Sequence, residues 1–200
     1  QKGHEQTSPI ENMLIDMYAK AGCTGEAIQM FEKHPNFSVS SWNVLISGYV
    51  QLGESESVFH MVDRMIGKGI TPNLATFVCV LNACSHAGLV EEAQSYFHTM
   101  TTVYCLIPTL EHHTCMVNLY SHVGHFNKAI LIIKRVQYSN SFQLWLALLD
   151  GCRMWVNVEL GLWAFEQSIQ LDKTCAAAYV CMKNIYAEVD MQTEVDSVEA

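Results

Sequence analysis

The sequence predicts an all-α fold, a right-handed α-solenoid (superhelix) of antiparallel helix–turn–helix repeats. Three observations carry this expectation. Small-residue turns recur at a nearly constant spacing, with glycines at Gly22, Gly53, Gly88 and Gly124, steps of 31, 35 and 36 residues. An apolar stripe at i, i+1 and i+4 precedes each turn in the same register, as one buried helix face requires. A second amphipathic run follows each turn. Such self-similarity marks a chain of stacked supersecondary units rather than one irregular bundle.

The elements follow in order. Leu14, Ile15 and Tyr18 form the stripe before the first turn, and Ala27-Ile28-Met30-Phe31 the run after it. Leu45, Ile46 and Tyr49 precede the second turn, and Val58-Phe59-Met61-Val62-Met65 follows it. Val80, Leu81 and Cys84 precede the third turn, with Ala93-Tyr96-Phe97-Met100 beyond. Met116, Val117 and Tyr120 lead to Gly124, and Leu148, Leu149 and Cys152 lead to a fifth turn, Trp155-Val156-Asn157, that has lost its glycine. Val189-Asp190-Met191 stands where a sixth turn falls. Pro35, Pro72 and Pro108 come after second helices and are expected to stop them. One helix pair cannot bury its own apolar face. The pairs are therefore expected to stack and to curve into a concave binding surface.

Composition narrows the function classes. Half of the 200 residues are hydrophobic and 16% are charged, which is enough apolar material for a continuous core. No window is long and apolar enough to predict a membrane span. Gln1-Lys2-Gly3-His4 resembles no signal or transit peptide, and the chain reads as part of a longer protein. The net charge of -9 argues against a strongly basic, non-specific polyanion binder. Residues 142–200 alone hold three Lys/Arg against nine Asp/Glu, so any contact with a polyanion is expected before about residue 141. The eight cysteines include no CxxC and are expected as reduced, buried thiols, with disulfides as the alternative that an even count leaves. The chain contains no HxE, no Gly-rich phosphate loop and no GxSxG, and His86, His122 and His125 are scattered over the turns. We expect no enzyme, no metal and no cofactor.

The uneven step lengths, together with Asn12-Met13-Leu14-Ile15-Asp16-Met17-Tyr18-Ala19-Lys20-Ala21-Gly22, Ser41-Trp42-Asn43-Val44-Leu45-Ile46-Ser47-Gly48-Tyr49, Ala83-Cys84-Ser85-His86-Ala87-Gly88-Leu89-Val90 and Asn157-Val158-Glu159-Leu160-Gly161, resemble the plant pentatricopeptide repeat family. More narrowly they resemble its PLS class, which mixes short, standard-length and long motifs. Laid on that pattern, residues 1–7 are a preceding motif end or tail and 8–38 a short motif. Residues 39–73 are then a standard-length motif, 74–109 a long one, and 110–141 the last short one. Residues 142–175 resemble the first E motif and 176–200 a partial second one.

The resemblance implies one RNA base per repeat, read by the fifth and last residues of each motif. It points to Asn12 with Ser38 as a cytosine-preferring pair, and to Asn43 with Asn73 as a pyrimidine reader. Thr114 with Ser141 would take a purine, and Val78 with Thr109 fits no clear code. The implied function is sequence-specific binding of single-stranded organellar RNA, in mitochondrion or chloroplast, to select sites for C-to-U editing. Residues 142–200 would dock editing accessory proteins or a deaminase-domain protein. The zinc ligands and glutamate of such a deaminase are not in this chain. Two alternatives stand beside this one: an organellar splicing, cleavage or stability factor, and a protein–protein scaffold. Departures from the family pattern cluster near the E-like region, at residues 136–141, at Trp155-Val156-Asn157 and at Asp172-Lys173-Thr174-Cys175.

Overall fold

The computed structural model describes residues 13–14, 17–18, 21–22, 24–32, 38–136 and 141–189. Among them it forms ten helices and no strand. The expected readers' first member, Asn12, lies outside the described residues, as do Pro35 and the expected turn at Asp190. The chain divides into two compact units, residues 1–87 with 91–107 and residues 88–90 with 108–200.

The first unit contains α1 (Thr24–Glu32), α2 (Val39–Gln51), α3 (Ser55–Gly67), α4 (Leu74–Ala87) and most of α5 (Val90–Thr102). Helix α2 packs on α1, α3 and α4, and α3 packs on α4. The stripes face inward: Leu45, Ile46, Val80, Leu81 and Cys84 are at most 1% exposed. Burying each such side chain contributes about 1.5–3 kcal/mol. Phe31 of α1 meets Trp42 of α2 edge to face at 4.6 Å, and Phe59 of α3 stacks on Tyr96 of α5 at 5.6 Å.

The second unit contains α6 (Leu110–His122), α7 (Phe126–Arg135), α8 (Phe142–Met154), α9 (Val158–Leu171) and α10 (Ala176–Glu188). Helix α6 packs on α7 and α8, and α10 packs on α8 and α9. Val117, Leu148, Leu149 and Cys152 are fully buried, and Trp145 meets Trp163 edge to face at 4.8 Å.

Helix ends correct one expectation. The prolines do not stop the second helices: α3 ends at Gly67 and α5 at Thr102, several residues before Pro72 and Pro108. Gly69 ends α3 instead. Its φ of 75° lets its N–H reach Ile66 O at 2.8 Å while Ile70 N–H reaches Met65 O at 3.1 Å. After α5, Cys105 takes the corresponding left-handed conformation at φ 51°.

The turns inside each pair use the same device. Gly53 and Gly124 have φ 74° and 76°, and Glu54 N–H and His125 N–H return to Tyr49 O and Tyr120 O. The fifth turn keeps this geometry without glycine. Asn157 N–H returns to Cys152 O at 2.9 Å, and Val156 sits at φ 51°. A β-branched residue there is strained.

Seven described cysteines carry free thiols. Burial pushes the Cys79 thiol up to about 11 and those of Cys84 and Cys152 to about 12, so they pack as small hydrophobes. Cys105 departs from the expected burial and is exposed. No helix among the described residues is long and apolar enough to cross a membrane.

Candidate functional site

The singled-out residues that the structure describes stand at or within the first turns of the first helices. The last residue of each span is the N-cap position of the next first helix: Ser38 before α2, Asn73 before α4, Thr109 before α6 and Ser141 before α8. An N-cap side chain accepts from a backbone N–H that the helix leaves unpaired. Fifth residues lie one turn inside the same helices.

At the 39–73 span the two expected readers touch. Asn43 Nδ2 donates to Asn73 Oδ1 at 3.0 Å across thirty residues of sequence. Thr76 completes the cluster. Its backbone N–H donates to Asn73 Oδ1 at 3.1 Å, and its hydroxyl donates to Asn43 Oδ1 at 2.7 Å. Asn73 N–H in turn donates to Thr76 Oγ1 at 3.2 Å. Asn73 is exposed, Asn43 half-buried and Thr76 fully buried.

The other spans differ. Ser38 is exposed and caps α2, accepting from Ser41 N–H at 3.3 Å, with Ser41 Oγ 3.1 Å from its own hydroxyl. Its expected partner is Asn12. Val78 is half-buried on α4. Thr109 is held by its own neighbours: its N–H donates to His112 Nδ1 at 3.2 Å, its hydroxyl lies 2.8 Å from that nitrogen, and it also donates to Glu111. The Thr109 hydrogen bond is the main reason the Glu111 carboxyl is held below its usual range, so an ionised carboxylate sits beside this hydroxyl. Thr114 donates its hydroxyl to Leu110 O at 2.9 Å within α6, leaving only acceptor capacity. Ser141 donates to Gln143 Oε1 at 2.7 Å.

Sequence reasoning missed the third residue of three spans. Ser41, Thr76 and His112 are polar yet fully buried, and each bonds the last residue before it. The signal was available as a polar residue three places after a Ser, Asn or Thr cap, the capping-box pattern. His112 is fully buried and also bonds the cap.

A second polar cluster joins α6 to α8. His122 Nε2 lies 3.2 Å from Asp150 Oδ2, and Arg153 Nε donates to Asp150 Oδ1 at 3.0 Å. The His122 hydrogen bond first, then that of Arg153, hold the Asp150 carboxyl below its usual range. Trp155 Nε1 donates to His122 O at 3.0 Å, satisfying a carbonyl that the end of α6 leaves open.

Comparison with known proteins places this arrangement. The PPR repeat family model matches residues 38–86, and the PPR repeat model matches 12–33 and 75–105. A chloroplastic pentatricopeptide repeat-containing protein of Arabidopsis thaliana is 38% identical over all of this chain, which spans 27% of that relative. A mitochondrial one from the same plant is 37% identical over 95% of this chain, which spans 29% of it. Among solved structures, the PPR domain of Arabidopsis thaliana protein-only RNase P 1, in complex with tRNA, superposes with a TM-score of 0.63 at 17% identity, covering 89% of this chain and 97% of that one. Maize pentatricopeptide repeat protein PPR10 gives a TM-score of 0.53 at 18% identity, covering 98% of this chain and 34% of that one. PPR10 has also been solved with an 18-nt psaJ RNA element, with a TM-score of 0.53 at 15% identity over 94% of this chain and 33% of that one. These likenesses show the all-helical solenoid fold. The repeat matches and the relatives together identify the chain as a member of the pentatricopeptide repeat family, with plant relatives.

Proposed function

We propose that the chain binds single-stranded RNA, one base per repeat over residues 8–141, in a chloroplast or mitochondrion. The observation that carries this is the Asn43–Asn73 hydrogen bond of 3.0 Å, which makes the fifth and last residues one amide pair at an exposed helix start. Paired amides offer donors and acceptors together, the chemistry a single unstacked base presents on its edges. The solved relatives bound to tRNA and to an 18-nt RNA element support a nucleic-acid ligand for this fold.

The finer reading is site selection for C-to-U editing by a PLS-class array with E motifs. It is supported by apolar side chains at both fifth places after residue 141, where before it only Val78 is apolar. The fifth places of the spans starting at 142 and 176 are Leu146 and Val180, and Val180 is 56% exposed. An exposed apolar side chain suits a protein contact better than a base edge. Residues 142–200 therefore serve as the docking region for an accessory protein or a deaminase-domain protein.

The test is titration of the full chain with RNA carrying C, a pyrimidine, any base and a purine in that order, against permuted controls. The ordered RNA is expected to bind about tenfold more tightly, the scale of one well-made base contact. Asn43→Asp is expected to change the preference at the second base alone. Equal binding of all permutations sinks the base-reading function.

A further inference from the structure

We propose that the groove between α7 and α9 is a docking site for an acidic protein segment that inserts one aromatic side chain. The inference goes beyond the RNA reading and does not depend on it.

The second helices of successive pairs do not pack backbone to backbone, neither α3 with α5 nor α7 with α9. Side chains must close the space between them. In the first unit two rings do so, with Phe59 of α3 stacked on Tyr96 of α5 at 5.6 Å. Phe59 stands six residues after the left-handed Gly53, and Tyr96 eight after the left-handed Gly88. The same register in the second unit, counted from Gly124 and Val156, falls on Ile130 and Ala164. A branched aliphatic chain and a methyl group stand where the first unit has two rings. Between α7 and α9 lies an open groove of about 560 Å³, with Phe126, Asn127, Lys128, Ile130, Asn157 and Leu160 in its lining. Trp155, 54% exposed, covers Gly124 at one end of it. A gap that the protein's own rings fill elsewhere is suited to a ring from a partner, and such aromatic anchors dominate protein interfaces.

Charge names the rest of the partner. The protein carries -9 overall, yet between Glu111 and Asp150 it has no carboxylate at all. That stretch carries Lys128, Lys134 and Arg135, all on α7 and all exposed. Among the described residues none of the three is paired with a carboxylate, and Lys128 lies over the Tyr120 ring. Exposed Leu131 stands between them. The carboxylates of α9, Glu159 and Glu166, are exposed and stand outside the groove lining. The acidic side of the partner is therefore set against α7, and complementary charge fixes its direction in the groove. The cations sit on a second helix, whereas the proposed base readers sit at the starts of first helices. A protein segment rather than RNA is the occupant this arrangement favours.

Fluorescence anisotropy of the full chain tests the idea, with a short labelled peptide in which one tryptophan is flanked by aspartates and glutamates. The peptide is expected to bind, and the same peptide with alanine for tryptophan to bind about thirtyfold more weakly, the scale of a central anchor. Ile130→Phe places a ring where Phe59 stands in the first unit. It is expected to close the groove and abolish binding, with the melting temperature kept. Lys128→Glu and Lys134→Glu lie on the surface and are expected to weaken binding about fivefold each, the upper end for an exposed ion pair. Undiminished binding by a folded Ile130→Phe, or equal binding of the tryptophan and alanine peptides, overturns the groove as the site. Equal binding of a peptide with lysines for its acids overturns the acidic partner. Displacement of the peptide by an equimolar single-stranded RNA of unrelated sequence would instead assign the α7 cations to phosphate and overturn the protein occupant. Base preference plays no part in these readouts, so failure here leaves the RNA reading standing.

Discussion

Val156 shows how a single residue carries strain that its neighbours make affordable. At φ 51° it occupies the left-handed place that glycine fills at Gly22, Gly53, Gly88 and Gly124. An L side chain there costs about 1–2 kcal/mol, and glycine's extra freedom in the unfolded chain returns part of that gain. The turn persists because Asn157 N–H still closes on Cys152 O, Asn157 Oδ1 still caps α9 at 3.1 Å, and the Trp155 ring covers Gly124. Val156→Gly is therefore expected to stabilise the chain by about 1 kcal/mol, a rise of about 2–4 °C in Tm for a protein of this size. Thermal melting by circular dichroism checks it, and an unchanged or lower Tm shows that the valine side chain contributes packing that outweighs the strain. The lost glycine was legible in the sequence as a missing letter. The retained left-handed backbone was not, because no side-chain pattern distinguishes a strained valine from a rebuilt turn.

At the scale of the helices, the stripes were readable and the close approaches were not. A buried face must repeat with the helical period, so Leu45, Ile46, Val80, Leu81, Leu148 and Leu149 declare themselves, and all are at most 1% exposed. The Asn43–Asn73–Thr76 cluster was only half visible. The first two were picked out by their places in the motif, but Thr76 bonds a residue 33 positions away. Such a pairing depends on how α2 and α4 lie together, which local pattern does not encode. Helix contact distances are equally silent in sequence. A Cβ added at Gly151 of α8 meets Ser121 Cβ of α6 at 2.3 Å and its backbone carbon at 2.8 Å. One added at Gly161 of α9 comes too close only to the Cδ1 tip of Ile185, at 2.8 Å, which a rotamer change can move aside, while Cys152 Cβ at 3.5 Å and Leu149 Cδ1 at 3.8 Å are in ordinary contact. Both substitutions to alanine gain about 1 kcal/mol of helix propensity. Gly151→Ala is nevertheless expected to destabilise by about 1–3 kcal/mol, because α6 and α8 must move apart. Gly161→Ala is expected to be neutral or mildly stabilising. Urea denaturation of the two variants separates them, and equal midpoints contradict the close approach of α6 to α8.

Over the whole molecule, charge limits how RNA can be held. The chain carries -9 overall, and residues 142–200 hold nine Asp/Glu against three Lys/Arg. Between residues 38 and 141 the cations are Arg64, Lys68, Lys128, Lys134 and Arg135. Of these, Lys128 already lies 5.4 Å over the Tyr120 ring. A backbone-dominated complex needs many phosphate contacts and weakens steeply with salt, since each contact on a single strand contributes about -0.7 to the slope of log K against log salt. Recognition through amide and hydroxyl edges needs few. Binding of the proposed RNA is therefore expected to show a shallow slope, about -2 or less steep, corresponding to no more than about three phosphate contacts. The base preference opposite 39–73 should also persist across that salt range, because the Asn43–Asn73 pair bears no net charge. Filter binding or fluorescence anisotropy over a salt series measures both quantities at once. A slope near -4 or steeper, with base preference fading as salt rises, would place the affinity in the phosphate backbone and remove the amide pair from its central role.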